Sequence, residues 1–377
     1  MSTLRALHIV CEALRPDRSS GRSSLTGINE KAWQAAIALA NDHFVTPMLY
    51  PALAQSQRLT ELPVDVRDYL ELLHGANAAR NRRLRQQALE LFDALSAAGV
   101  RTMLLKGGVS LFLDSAAGQL GRMIRDLDLL VPREAADKAL AVLDGLGYGV
   151  IDRYPPGHNA FGELARAGDP AAVDLHFELI DVPHVLPAVD VWRRAGAATV
   201  QRTSFFVPSP TDRVLHNVLH AQIHHLANYY LGTIELRQLH DLAALARRRG
   251  RDIDWTFIAD HLERHRLQAP LYAYAFAAHR LLGSPWLLPR PPTLAARLHF
   301  RRCLLQLQAP MVARLSIPLA NLRAAFASHR MDGIYARGSP LLLRRLHHAA
   351  RFLHKGHAGD WIARLLRSPA HPRGWRR

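Results

Sequence analysis

Cysteine is nearly absent from this chain of 377 residues: Cys11 and Cys303 are too few for a disulfide scaffold and lack metal-ligand spacing. That scarcity favours a reducing compartment and makes the cytoplasm the expected location. Long apolar runs are lacking too, so no segment reads as a membrane span. The apolar patch at residues 6–11 is interrupted by His8 and followed by Glu12, a poor signal peptide. No internal repeat is present, which argues against a solenoid or propeller.

Acidic residues run out in the last quarter. Residues 290–377 hold 17 Lys and Arg against two acids, Asp332 and Asp360, a net +15 out of +16 for the whole chain. A basic end on a nearly neutral body suits docking to a polyanion such as RNA, DNA or an anionic membrane. It equally suits a solvated, arginine-rich helical face. The rest is an ordinary globular composition, 49% hydrophobic and 21% charged, at a length that suggests two or three packed units.

Chemistry concentrates in residues 104–131. An apolar, strand-like run stops at Lys106-Gly107-Gly108, and a second apolar run carries Asp126 and Asp128. In a strand, residues i and i+2 share a face, so these two carboxylates project together while Leu127 and Leu129 point away. Like charges in a partly desolvated place raise each other's pKa unless a cation neutralises them, and a hard divalent ion with oxygen ligands does so directly. At a strand-to-helix turn, glycine N–H groups approach phosphate oxygens with no Cβ in the way.

Around this stretch, residues 1–100 read as helical: 28–40, a short helix at 65–73 and a longer one at 76–98, with Pro47 and Pro51 breaking the segment between them and Gly99 as a stop. Strands are predicted at 100–105, 126–131, 148–153, 159–166 and 171–179, with a helix opening at Pro132, giving a mixed α/β sheet of about five strands. A further strand at 203–207 precedes helices at 214–226, 235–248, 255–266 and 269–282. Pro289–Pro292 marks a linker, and 294–307, 341–354 and 361–366 read as basic amphipathic helices.

These residues resemble the nucleotidyltransferase superfamily that shares its fold with DNA polymerase beta, and within it a family of uncharacterised bacterial nucleotidyltransferases. The resemblance spans residues 77–250. It rests on Leu105-Lys106-Gly107-Gly108, on Arg125-Asp126-Leu127-Asp128-Leu129-Leu130-Val131, on Val173-Asp174-Leu175-His176, and on the helical Leu236-Arg237-Gln238-Leu239-His240-Asp241-Leu242. The 17 residues between Gly108 and Asp126 are more than in compact members of the superfamily.

The resemblance implies an α/β (α+β) fold: an N-terminal helical region at 1–76, a nucleotidyltransferase core at 77–209, a helical accessory region at 210–289 and a basic Leu/Arg-rich helical region at 290–377. It implies transfer of an NMP from an NTP, with ATP the expected donor, to a hydroxyl of a small molecule, a protein or peptide, or RNA. Asp126, Asp128 and Asp174 would be catalytic and would hold two Mg²⁺ ions, with Mn²⁺ as an alternative. Lys106, Gly107, Gly108, Arg122, Arg125 and His176 would face nucleotide or phosphate. A second reading, from another class, is a non-catalytic or toxin–antitoxin-type protein of this fold that binds nucleic acid or a protein partner through residues 290–377.

Two further patterns are present. His216, His220 and His224 repeat on one helical face, with His225 adjacent, as a wall of histidines or a transition-metal site. Asp252-Ile253-Asp254 repeats the DxD spacing without a glycine turn or an apolar strand, so Asp254 reads as a helix N-cap.

Overall fold

Apolar residues at helical spacing draw the first hundred residues into helices around a common core. In a computed structural model, which describes residues 2–15, 24–114, 120–155, 158–224, 228–328, 331, 335 and 340–354, these are α1 (Thr3–Leu14), α2 (Glu30–Asp42), α3 (Thr46–Gln55) and α4 (Val64–Ala97). Ser2 and Asn29 cap α1 and α2 by accepting from backbone N–H groups three residues on.

Two expectations fail here for local reasons. Pro47 and Pro51 do not break the chain. Pro47 sits in the first turn of α3, where no N–H is needed, and its carbonyl, which Pro51 cannot serve, accepts from His74 Nδ1 at 3.1 Å. The separate helices at 65–73 and 76–98 are one helix of 34 residues. Gly75 lies inside it facing open space, so the chain runs through at the ~1 kcal/mol propensity cost of an interior glycine. Leu84, Ala88, Leu91 and Leu95 form the buried stripe their spacing predicts, and Gly99, at φ +73°, ends the run.

The strands are β1 (Met103–Leu104), β2 (Leu127–Leu130), β3 (Gly149–Arg153), β4 (Ala160–Ala165), β5 (Val173–His176), β6 (Gly196–Val200) and β7 (Thr203–Val207). They form one mixed sheet in the order β3-β4-β5-β2-β1-β7-β6, with β2–β5 and β1–β7 parallel and the other pairs antiparallel. Seven strands replace the five or so expected. β7 is the further strand expected at 203–207, and the unanticipated one is its hairpin partner β6, an edge strand whose sequence Gly-Ala-Ala-Thr-Val carries no apolar alternation to announce it.

Pleating sorts the central strands into two faces. Leu104, Leu127, Leu129, Val173 and Leu175 point into a core closed by α4 and by α6 (Ala136–Gly145), which follows the short α5 (Ser110–Leu113). The opposite face carries Met103, Leu105 and Leu130 into a larger core shared with α1–α3. That core also takes in α7 (Ala188–Arg194), α8 (Pro210–Gln222), α10 (Leu236–Arg249), α11 (Trp255–Arg264) and α12 (Gln268–Leu282), with α9 (Asn228–Leu231) between α8 and α10. Asp254 caps α11 by accepting from Phe257 N–H.

After Gly283, residues 284–293 form no helix, and then come α13 (Leu294–Gln308), α14 (Pro310–Ala325) and α15 (Leu341–His354). α14 was not anticipated, because Pro310 and Pro318 obscure its spacing. The helix expected at 361–366 lies outside the described residues, as does His225.

Candidate active site

Sheet register builds the centre of the site. β2 and β5 run parallel with Asp128 opposite Asp174 and Leu130 opposite His176, which puts the two carboxylates side by side on one face and the imidazole next to them. His176 Nε2 lies 3.0 Å from Asp128 Oδ1 and 2.9 Å from Asp174 Oδ2. All three residues are buried. Asp126 stands just before β2, on the approach to them.

The turn after β1 supplies the positive charge. Lys106 Nζ pairs with Asp128 Oδ1. To reach it, Lys106 adopts φ +45°, a left-handed conformation that costs a non-glycine residue about 1–2 kcal/mol. The glycines beside it are required by packing. A Cβ on Gly107 would overlap the guanidinium of Arg122, with Nη2 at 2.8 Å, and one on Gly108 would meet Leu104 Cδ1 at 2.6 Å. Arg122 is in turn fixed by Asp241 of α10 through two parallel bonds, Nε–Oδ1 at 2.9 Å and Nη2–Oδ2 at 2.7 Å.

Electrostatics distinguish the acids. Burial raises the Asp126 carboxyl, and its neighbour Asp128 raises it further against Lys106 and Arg125. Burial pushes Asp128 the same way, but Lys106 and the His176 bond outweigh it and hold the group ionised well below the usual carboxylate range. For His176, burial and Lys106 oppose the charge, yet the bonds to Asp128 and Asp174 prevail and raise its pKa. Desolvation raises the half-buried Asp241 carboxyl, but Arg122, which faces it, outweighs this and lowers its pKa.

α4 holds the backbone that delivers Asp126. Asn77 Nδ2 donates to Leu120 O at 2.7 Å, Asn81 Nδ2 to Arg122 O at 2.8 Å, and Arg80 to the carbonyls of Ile124, Arg125 and Pro170. These three residues were missed from the sequence. The available signal was a polar group at i, i+3 and i+4 on a helix whose next turn buries Leu84. Arg125 lies against the Phe44 ring, with Cζ 5.6 Å from its centroid.

A cleft of about 930 Å³, its open mouth included, lies between this turn and the helices α8 and α10. Lys106, Gly107, Arg122, Arg125, Asp126 and Asp128 line it, whereas Gly108, Asp174 and His176 do not. His216 and His220 line the far wall, but the histidine ladder does not converge. His220 Nδ1 meets Gln238 Nε2 at 2.8 Å and His224 Nδ1 meets Asp181 Oδ1 at 2.7 Å. Among the described residues, the group whose ligand atoms lie within 4.8 Å of one another is Asp128, Asp174 and His176. Asp174 Oδ1 is buried there without a hydrogen-bond partner among those residues, an acceptor of the kind a hard cation uses.

The sequence matches the family model of an uncharacterised nucleotidyltransferase over residues 29–283. The chain belongs to this nucleotidyltransferase family. The matched segment starts at the N-cap of α2 and ends just after α12, so it contains both walls of the cleft and leaves α13–α15 outside. No curated protein matches the chain.

Proposed function

We propose that this protein moves an NMP from an NTP, with ATP as donor, to a hydroxyl of a small molecule, a peptide or protein, or RNA, releasing pyrophosphate. The observation that carries the reading is the in-register pair Asp128–Asp174, of which Asp128, with Asp126 ahead of it, lines a basic cleft and Asp174 stands directly behind. Asp126, Asp128 and Asp174 are the groups we assign to two Mg²⁺ ions, for which Mn²⁺ could substitute. Metal bound there supplies charge neutralisation for the attacking and leaving oxygens of an in-line displacement.

The remaining chemistry falls to side chains. Six basic residues line the cleft against four carboxylates, an excess that favours a polyphosphate. Lys106 and Arg125 face the incoming charge, with Gly107 packed on the Arg122 guanidinium beside them. Arg213 of α8 also lines the cleft and makes no ion pair or hydrogen bond with the described residues, so a phosphate would give it a partner. Asp174, behind Asp128, is the group we assign to removing the acceptor's proton. His176, which bridges Asp128 and Asp174, holds them at fixed spacing.

The test is Mg²⁺-dependent release of pyrophosphate from each NTP in the presence of cell extract, with mass spectrometry for an increment of one NMP on the acceptor. Asp126→Asn combined with Asp128→Asn abolishes both signals. Unchanged release by that variant rejects the site, and an increment of phosphate alone rejects nucleotidyl transfer in favour of kinase-like chemistry.

A further inference from the structure

Exposed leucine is unevenly distributed in this protein. Of the sixteen large apolar side chains exposed among the described residues, nine lie in α13–α15: Leu294, Leu298, Leu305, Met311, Leu315, Leu319, Leu342, Leu343 and Leu346. On α13 the inner face, Ala296, Phe300 and Cys303, is buried, and the three leucines form one stripe on the other side at i, i+4 and i+11. On α14, Met311, Leu315 and Leu319 recur every four residues, with Leu315 and Leu319 72% and 71% exposed, while Ala320 and Ala324 are buried.

Arginines flank these stripes. Arg297, Arg301, Arg314, Arg323 and Arg345 are exposed, and no acidic residue occurs from 290 to 331. An apolar stripe bordered by cations has an environment that satisfies both halves: the interface of an anionic bilayer, where leucine enters the acyl boundary and arginine meets phosphate headgroups. A nucleic acid would engage the arginines and leave nine apolar side chains in water. A second copy of this face would set arginine against arginine, and the chain's own end, residues 355–377, is itself basic by six Lys and Arg to one Asp. No described helix is long and apolar enough to cross a membrane, so contact would be along the surface.

We propose that α13–α15 dock this protein on an anionic phospholipid bilayer, with the leucine stripes in the interface and the arginines at the headgroups. The helices lie outside the segment that matches the family, so this surface is an addition to the transferase and is independent of the chemistry proposed for it.

Flotation of the full-length protein with vesicles is the test. The protein floats with phosphatidylglycerol-rich vesicles and stays behind with phosphatidylcholine alone. Leu315→Glu with Leu319→Glu lowers binding to the former by about tenfold or more. Both positions are solvent-exposed, so circular dichroism and the melting transition of the variant match the parent. A second variant, Arg297→Gln with Arg301→Gln, weakens binding and reduces its salt dependence. Vesicle binding unaffected by the glutamates overturns the proposal. So does a parent protein that ignores both vesicles, or one that binds duplex DNA or RNA instead with the glutamates making no difference.

Discussion

Replacing Gly107 with alanine tests how the glycine turn is coupled to α10. Its φ is not in the left-handed region, so the substitution brings no backbone strain and its effect is steric. The new Cβ overlaps the Arg122 guanidinium, most deeply at Nη1, then Cζ, with Nη2 at 2.8 Å, so the whole group must be displaced before any of its atoms reaches ordinary contact. Arg122 is tied at 2.9 and 2.7 Å to Asp241, and such a displacement breaks at least one of those two bonds.

A charge-assisted bond contributes about 1.5–3 kcal/mol. Arg122 and Asp241 side chains are 12% and 25% exposed, which trims the figure modestly, and ~2 kcal/mol is expected as a lowered urea midpoint. The decisive measurement is a double-mutant cycle with Asp241→Ala. Once Asp241 is gone there is no bond left for Gly107→Ala to break, so its cost falls by more than half. A cost that is the same in both backgrounds, to within ~0.5 kcal/mol, refutes the coupling.

Three further outcomes are expected. Mn²⁺ raises the melting temperature of the parent protein, and Asp174→Asn removes the shift; a shift that survives places the ion elsewhere. Arg80→Ala, which strips donors from the carbonyls of Ile124 and Arg125 ahead of Asp126 and of Pro170 ahead of β5, costs ~1–3 kcal/mol in stability and lowers kcat more than it alters KM for the NTP. Its failure would show as unchanged kcat. His43, His240 and His299 are half-buried, and desolvation holds each down to about 4, below the ordinary 6.5. The unfolded chain therefore takes up protons first: stability is complete above pH ~6.5 and drains away as pH falls towards 4, by well under ~3 kcal/mol for each ring, since water reaches part of each. A urea midpoint that is flat between pH 7 and about 4.5 would contradict this.

What could be read from the chain follows the range of the forces involved. Alternation is local, so Asp126 and Asp128 on one face of an apolar strand, and Asp174 two residues before His176 on another, were visible without coordinates. So were the helix at Leu341–His354 and the N-cap at Asp254. Long-range partners were not. Arg122 and Asp241 are 119 residues apart, and nothing in either neighbourhood names the other. Gly107 looked like an opening for phosphate because glycine is equally consistent with a ligand or with a guanidinium packed against it. Pro47 and Pro51 were read as breaks, and α3 shows how a distant group, the His74 ring, accommodates such a residue inside a helix.

The parallel pairing of β2 with β5 also separates the geometry of the site from the lengths of its loops. Asp128 and Asp174 are placed opposite each other by ladder register, so the 17 residues between Gly108 and Asp126 can lengthen or shorten without moving either carboxylate. A slip of one residue would carry both acids under α4 and α6, among Leu84, Leu91 and Leu143. A misregistered chain would bury its charges in hydrocarbon and fail to fold, so evolution is free to rebuild the loops around the cleft while the sheet itself rejects any arrangement in which the acids are misplaced.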